Sequence, residues 1–186
     1  SYDDATGLLI RKTWADDTHE DTAYNALNFK STLTDARGVV TTWGYNLKKG
    51  VNNSVSYSDS TPGIQYAYNH LNQLTQVTDA SGSRTITYTP YNEPDTDSIT
   101  IGGASCQLQE HYDAYGRSSG YTLKQGTDVL QGASQGYEAN GRLAGAGIVH
   151  GGEEQTFAYG YLPGSSLPSS LAMPNGIVRE LAYEEH

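Results

Sequence analysis

Ile64-Gln65-Tyr66-Ala67-Tyr68-Asn69-His70-Leu71-Asn72-Gln73-Leu74-Thr75-Gln76-Val77-Thr78-Asp79-Ala80-Ser81-Gly82-Ser83-Arg84-Thr85-Ile86-Thr87-Tyr88 holds one whole structural unit of this chain. Ile64, Tyr66 and Tyr68 alternate with Gln65 and Ala67, the period of two that sends large side chains to one face of a strand. Asn69-His70-Leu71-Asn72 supplies a turn, and Leu74, Thr75 and Val77 lie in a returning strand. Asp79-Ala80-Ser81-Gly82 turns the chain again, and Arg84, Ile86 and Tyr88 then alternate with Thr85 and Thr87. One unit is therefore two strands and two turns, a β-hairpin plus a link to the next.

The unit recurs. One tyrosine per unit can be followed through Tyr2, Tyr24, Tyr45, Tyr68, Tyr91, Tyr112, Tyr137, Tyr159 and Tyr183, spaced 21 to 25 residues apart. A period of this size marks a repeat architecture, in which each unit buries its apolar face against its neighbours. Eight intervals at two strands each predict roughly sixteen strands over residues 1–186, read as a single repeat segment. The expected fold is all-β: tandem hairpins joined into a curved, spiralling antiparallel sheet, with little or no helix. The polar stretch from Asp16 to Ala26 has only a weak helix cap in Asp17-Thr18-His19-Glu20 and is read as a turn. Phe157, Tyr159 and Tyr161 alternate with Ala158 and Gly160, which puts rings on one face and small residues on the other.

Turn chemistry supports the hairpins. An Asp at the first turn position caps its own backbone, and a Gly at the fourth accepts φ > 0. The pattern occurs at Asp35-Ala36-Arg37-Gly38, Asp79-Ala80-Ser81-Gly82 and Asp113-Ala114-Tyr115-Gly116, with variants at Asp4-Ala5-Thr6-Gly7 and Glu138-Ala139-Asn140-Gly141. Tyr91-Asn92-Glu93-Pro94-Asp95-Thr96-Asp97-Ser98 reads instead as a loop or distorted turn, because it carries Pro and three acids. Leu162-Pro163-Gly164-Ser165-Ser166-Leu167-Pro168-Ser169-Ser170 reads as a longer connection.

Composition excludes several function classes. Hydrophobic residues make up 36 %, with two Phe and one Met against fifteen Tyr, so tyrosine must supply much of the buried surface. A formal charge of −10 disfavours nucleic acid and anionic membranes. Cys106 is alone, which rules out an intramolecular disulfide, and no apolar run is long enough to insert in a membrane as a helix.

Tyr112-Asp113-Ala114-Tyr115-Gly116-Arg117 resembles the Tyr-Asp-x-x-Gly-Arg core of RHS or YD repeats. Tyr137-Glu138-Ala139-Asn140-Gly141-Arg142 is the same pattern with Glu for Asp. The stretches from Tyr24 to Lys30 and from Tyr68 to Leu74 are similar, with Asn at both the Asp and the Gly positions. The resemblance covers essentially the whole chain. It implies a shell of β-hairpins in a large secreted or surface protein of bacteria, a non-enzymatic wall whose important residues are the repeat positions Tyr24, Tyr45, Tyr68, Tyr112, Asp113, Gly116, Arg117, Tyr137, Gly141, Arg142 and Tyr159. The implied partners are the remainder of a parent chain and, through edge strands, another copy. Because the sequence opens at Ser1-Tyr2-Asp3 and stops at Tyr183 to His186, it reads as a segment cut within repeats. The family's C-terminal cleaving core has no match here, so its autoproteolysis is not expected of this segment.

Candidate chemistry is sparse. His19, His70, His111, His150 and His186 lack a Gly-x-Ser-x-Gly elbow or any strand-to-helix context that would hold a nucleophile. Cys106, five residues before His111, reads as a small strand residue rather than a thiol nucleophile. Asp95 and Asp97, with Glu93 before them, form a weak Ca²⁺ candidate lacking the Gly and the terminal Glu of an EF-hand loop. Gly145-Ala146-Gly147-Ile148-Val149-His150-Gly151 has the wrong spacing for a nucleotide loop and reads as a strand. No cofactor is expected. Trp14, Trp43, Tyr66, Tyr121 and Tyr161 could stack on carbohydrate, the alternative function being an adhesive module, although cross-strand packing is the favoured use of such rings.

Overall fold

A computed structural model describes residues 1–183, and His186 lies outside them. No helix occurs among the described residues. Sixteen strands hydrogen-bond in the order in which they occur in the sequence, each antiparallel to its neighbour wherever the register is defined. The all-β repeat architecture expected from the sequence is thus the observed one.

The chain divides into two compact units. The first, Ser1–Thr85 with Ile101–Gly103, contains β1 (Arg11–Thr13), β2 (His19–Tyr24), β3 (Lys30–Thr34), β4 (Val40–Asn46), β5 (Val51–Tyr57), β6 (Ile64–Tyr68) and β7 (Leu74–Thr78). Its best-buried side chain is Val55, 8 % exposed, which pairs with Trp43 on β4 and Ile64 on β6. β8 (Gly82–Tyr88) passes from the first unit to the second after Thr85, and β9 spans Pro94–Ile101. The second unit contains β10 (Ala104–Tyr112), β11 (Ser118–Gln125), β12 (Asp128–Tyr137), β13 (Leu143–His150), β14 (Glu153–Tyr161), β15 (Pro168–Ala172) and β16 (Val178–Glu180).

Three expectations need correction. The stretch from Asp16 to Ala26 is not a single turn, because His19–Tyr24 forms β2, paired on both sides. The acidic stretch after Tyr91 is not a loop through Ser98, because β9 begins at Pro94. The connection after Tyr161 likewise ends earlier, with β15 beginning at Pro168. Proline lacks only the N–H, so it is tolerated as the first residue of a strand. Both prolines also keep a carbonyl that the fold uses: Pro94 O accepts from the Tyr112 phenol and Pro168 O from the Tyr183 phenol, each at 2.8 Å.

Candidate functional site

The repeated feature is a tyrosine at the end of every second strand. Tyr24, Tyr45, Tyr68, Tyr112, Tyr137 and Tyr161 each sit where the pairing register shifts by one residue. In each case the next strand holds an extra residue, as Thr75 lies between Leu74 (opposite Tyr68) and Gln76 (opposite Ala67). That β-bulge explains why Leu74 and Val77, three apart in sequence, partner Tyr68 and Tyr66, which are two apart. In five of the six the residue before the tyrosine is small, Ala23, Gly44, Ala67, Gly136 or Gly160, whereas His111 precedes Tyr112. A Cβ on Gly44 would come within 2.8 Å of Asn53 Oδ1, the extra residue of β5.

Five of these six phenols then reach back across a hairpin. Tyr24 donates to Leu9 O (2.9 Å), Tyr45 to Lys30 O (2.8 Å), Tyr112 to Pro94 O (2.8 Å), Tyr137 to Ser118 O (2.9 Å) and Tyr161 to Leu143 O (2.7 Å). The acceptor is the carbonyl at which the strand restarts after the preceding turn of the same kind. A hydrogen bond of this type contributes about 1 kcal/mol net, and it recurs along the array.

The turns after Tyr24, Tyr68 and Tyr112 each use one side-chain oxygen twice. Asp113 Oδ1 accepts from Tyr115 N (2.8 Å) and Arg117 N (3.0 Å). Asn25 does the same for Leu27 N and Phe29 N, and Asn69 for Leu71 N and Gln73 N. Only an acceptor is required, so Asn serves as well as Asp. The fourth turn position has positive φ: Gly116 at 75° and Gly141 at 88°, with Asn28 at 61° and Asn72 at 63° in the Asn units. Asn tolerates this region better than other non-glycine residues.

In three units the residue five places after the tyrosine links to the next unit. Arg117 bonds Asp113 Oδ2 through Nε at 2.6 Å and lies 4.1 Å from the centre of the Tyr137 ring. Arg142 bonds Glu138 Oε2 at 2.7 Å, lies 4.3 Å from the Tyr161 ring and donates to Ser165 O. Where the turn has Asn25 instead of an acid, Phe29 stands at this position and stacks on Tyr45 at 5.2 Å. Desolvation raises the Asp113 pKa, but hydrogen bonds from Arg117 and Tyr115 outweigh it and hold the carboxyl below its ordinary 3.8. Asp35 is held down by its bond from the Arg37 side chain and then by Val39 N.

Two of the sequence anchors differ from these positions. Tyr88, not Tyr91, ends β8; Tyr91 occupies the exposed turn tip that Tyr115 occupies in the next repeat, at 83 % and 82 % exposure. The turn after Tyr88 has Thr89 Oγ1 as acceptor and Asn92 at φ 69°. Tyr161, rather than Tyr159, carries the phenol bond at the end of β14, and Tyr159 pairs with Leu171. The Tyr-x-x-x-Asn spacing at 88–92 was the available signal for the first.

The candidate chemical residues are scattered. His70 lies in a turn, His150 ends β13 and His19 Nε2 is 3.7 Å from Asp21 Oδ2. His111 Nε2 meets Thr122 Oγ1 at 2.7 Å, and Cys106 is half-buried on β10 opposite Gln125. Asp95 and Asp97 lie on β9, and Asp95 Oδ2 accepts from Thr87 Oγ1 at 3.2 Å. Gly145 to His150 lie in β13 and Gly151 begins the turn after it at φ 60°; a Cβ on Gly145 would come within 2.6 Å of Phe157 O. Trp14 and Trp43 carry lysine ammonium groups, Lys12 and Lys30, at 4.9 and 5.5 Å, and Tyr121 accepts from Gln131 Nε2 at 3.1 Å.

Solved structures share this fold. A crystal structure of TcdB2-TccC3 aligns with a TM-score of 0.64 and 16 % identity, covering 96 % of this chain and 10 % of that one. The fold resembles a segment of TcdB2-TccC3. The structures of TcdB2-TccC3-Cdc42 and of TcdB2-TccC3 without its hypervariable C-terminal region match equally well. A Photorhabdus luminescens Tc holotoxin pore structure gives a TM-score of 0.50 at 11 % identity, over 90 % of this chain and 13 % of that one. The chain therefore spans about a tenth of the length of the TcdB2-TccC3 chain, and at this identity the likeness is one of fold. No family model and no curated relative matches the sequence.

Proposed function

We propose that this chain is a non-enzymatic structural segment of a larger RHS-type protein, a run of wall repeats working as part of a secreted toxin complex. The observation that carries the reading is the clamp repeated from unit to unit: a phenol bonded to the preceding restart carbonyl, and Arg117 and Arg142 each placed over the following tyrosine. Such a device spends its polar side chains on joining neighbours, and a repeat array gains stability from those nearest-neighbour interfaces. The fold likeness to part of TcdB2-TccC3 supports the same reading.

The test is made on the parent protein. Limited proteolysis should leave this segment inside one resistant body, and replacing Tyr112, Tyr137 and Tyr161 together by Phe should open that body to cleavage while its gross composition is unchanged. Release of the segment as an independent fragment that is retained on a glycan array would overturn the scaffold reading in favour of an adhesive module.

A further inference from the structure

The arginine that joins repeats after Tyr112 and Tyr137 is replaced by an acid in the repeat that precedes them. Five residues after Tyr88, where Arg117 and Arg142 stand in the following repeats, the chain has Glu93. The next tyrosine, Tyr112, still bonds the carbonyl of the adjacent Pro94, so the backbone of the clamp is kept while the residue at the arginine position carries the opposite charge. Beside it opens a cleft of about 740 Å³ whose lining includes Tyr91, Glu93, Asp95, Glu110, Tyr112 and Tyr115.

We propose that this cleft docks an arginine-bearing extended segment of a partner protein, whose guanidinium takes beside Tyr112 the place that Arg117 and Arg142 take beside Tyr137 and Tyr161. The same molecule shows the chemistry twice, with guanidinium-to-ring distances of 4.1 and 4.3 Å and a carboxylate closing each pair. Glu93 Oε2 accepts from Thr89 Oγ1 at 3.2 Å and Asp95 Oδ2 from Thr87 Oγ1 at 3.2 Å, contacts that leave both charges uncompensated. Among the described residues no lysine or arginine pairs with Glu93, Asp95 or Glu110. The other acid of the cleft, Asp113, is already neutralised by Arg117, and that arginine is committed to Asp113 and the Tyr137 ring. His111 is held by Thr122. Burial first, then the charges of Glu110, Glu93 and Asp95, raise the Tyr112 phenol above its ordinary 10.0, which places those three carboxylates in its field.

Arginine fits better than lysine because its planar, weakly hydrated guanidinium can lie on a ring while bonding a carboxylate in its plane. A protein segment fits better than nucleic acid because the carboxylates repel phosphate. Tyr91 and Tyr115, more than four-fifths exposed at the rim, supply the amphipathic contact area that interfaces favour.

A fluorescent peptide of alternating Gly and Arg, titrated against the chain by anisotropy, should bind at one saturable site and weaken with salt. Glu93→Arg, which supplies the repeat's own guanidinium in place, should weaken it at least about tenfold. Asp4→Arg, an equal charge change at an exposed turn, should alter it by less than about twofold. If Glu93→Arg does not fold, the Glu93→Gln, Glu110→Gln double variant must show the loss. Equal weakening by Asp4→Arg and Glu93→Arg, unchanged binding by the double variant, or equal affinity for a Gly-Lys peptide would overturn the proposal and leave bulk charge as the attraction.

Discussion

At the scale of single residues, Gly116 and Gly141 hold φ of 75° and 88° at the fourth turn position. A valine there must enter the left-handed region, at a cost of about 1–2 kcal/mol per site. Asparagine at either glycine should cost well under half of that, since Asn28, Asn72 and Asn92 already occupy this position. Urea denaturation of the four single variants checks the order, and equal losses for Val and Asn would contradict the turn geometry. The phenols give a second contrast. Tyr137→Phe removes the bond to Ser118 O and should cost about 1 kcal/mol. Tyr159→Phe should cost close to nothing, because its hydroxyl makes no hydrogen bond among the described residues.

At the scale of the element, each turn is an acceptor oxygen, a positive-φ residue and, in the two YD-like turns, an acid–arginine pair. Asp3, Asp35, Asp79 and Asp113 all have pKa values below the ordinary 3.8. A carboxyl depressed in the folded state adds stability that is present above its unfolded pKa and lost as pH falls through the folded one. The melting temperature should therefore be level from neutral pH to about 5 and fall below about 4. Tyr112 acts in the opposite sense: with its folded pKa raised, its contribution holds below 10.0 and is lost at higher pH. Asp113→Asn keeps the acceptor for Tyr115 N and Arg117 N but gives up the charge, so it should flatten the acid limb of the profile. An unchanged acid limb would show that Asp113 does not contribute to it. The longer side chain of Glu138 spans the turn differently, and Asn140 Oδ1 accepts from Arg142 N at 3.1 Å in its unit.

At the scale of the whole molecule, stability comes from neighbours rather than from a central core. Val55 is the one buried hydrophobic side chain among the described residues, and larger rings such as Phe29, Trp43 and Phe157 stay partly exposed. Local stability should then follow strand length and the presence of a partner on both sides. Amide exchange should be slowest in β10, β12 and β14, with 9, 10 and 9 residues, and fastest in β1 and β16, with 3 each. Uniform protection would point to an all-or-none core that the burial does not provide. β1 and β16 are also the outermost strands of this sheet, β1 being met on its outer side by Ser1 alone through Arg11, and exposed edges recruit further strands. Sedimentation of the isolated chain should show association that grows with concentration, and a sharp monomer throughout would count against edge pairing.

Alternation within strands, the Asp/Asn and Gly turns and the recurrence of tyrosine by themselves determined that this is a β-hairpin array of about sixteen strands, because each is a local property of a few consecutive residues. Which tyrosine closes the unit was not legible in two of them. Tyr88 and Tyr91 are both followed by turn residues, as Tyr159 and Tyr161 both precede one, and the choice depends on a carbonyl 15 to 19 residues earlier in the chain where the bond is formed. The bulges that offset Leu74 from Val77 are likewise a matter of register between strands. So is the meaning of Glu93: in sequence it is one more acid beside a proline, and only the pairing of each unit with the next puts it at the position that Arg117 and Arg142 fill elsewhere. Local chemistry wrote the repeat, and the contacts between repeats decided which of its residues carry the joint.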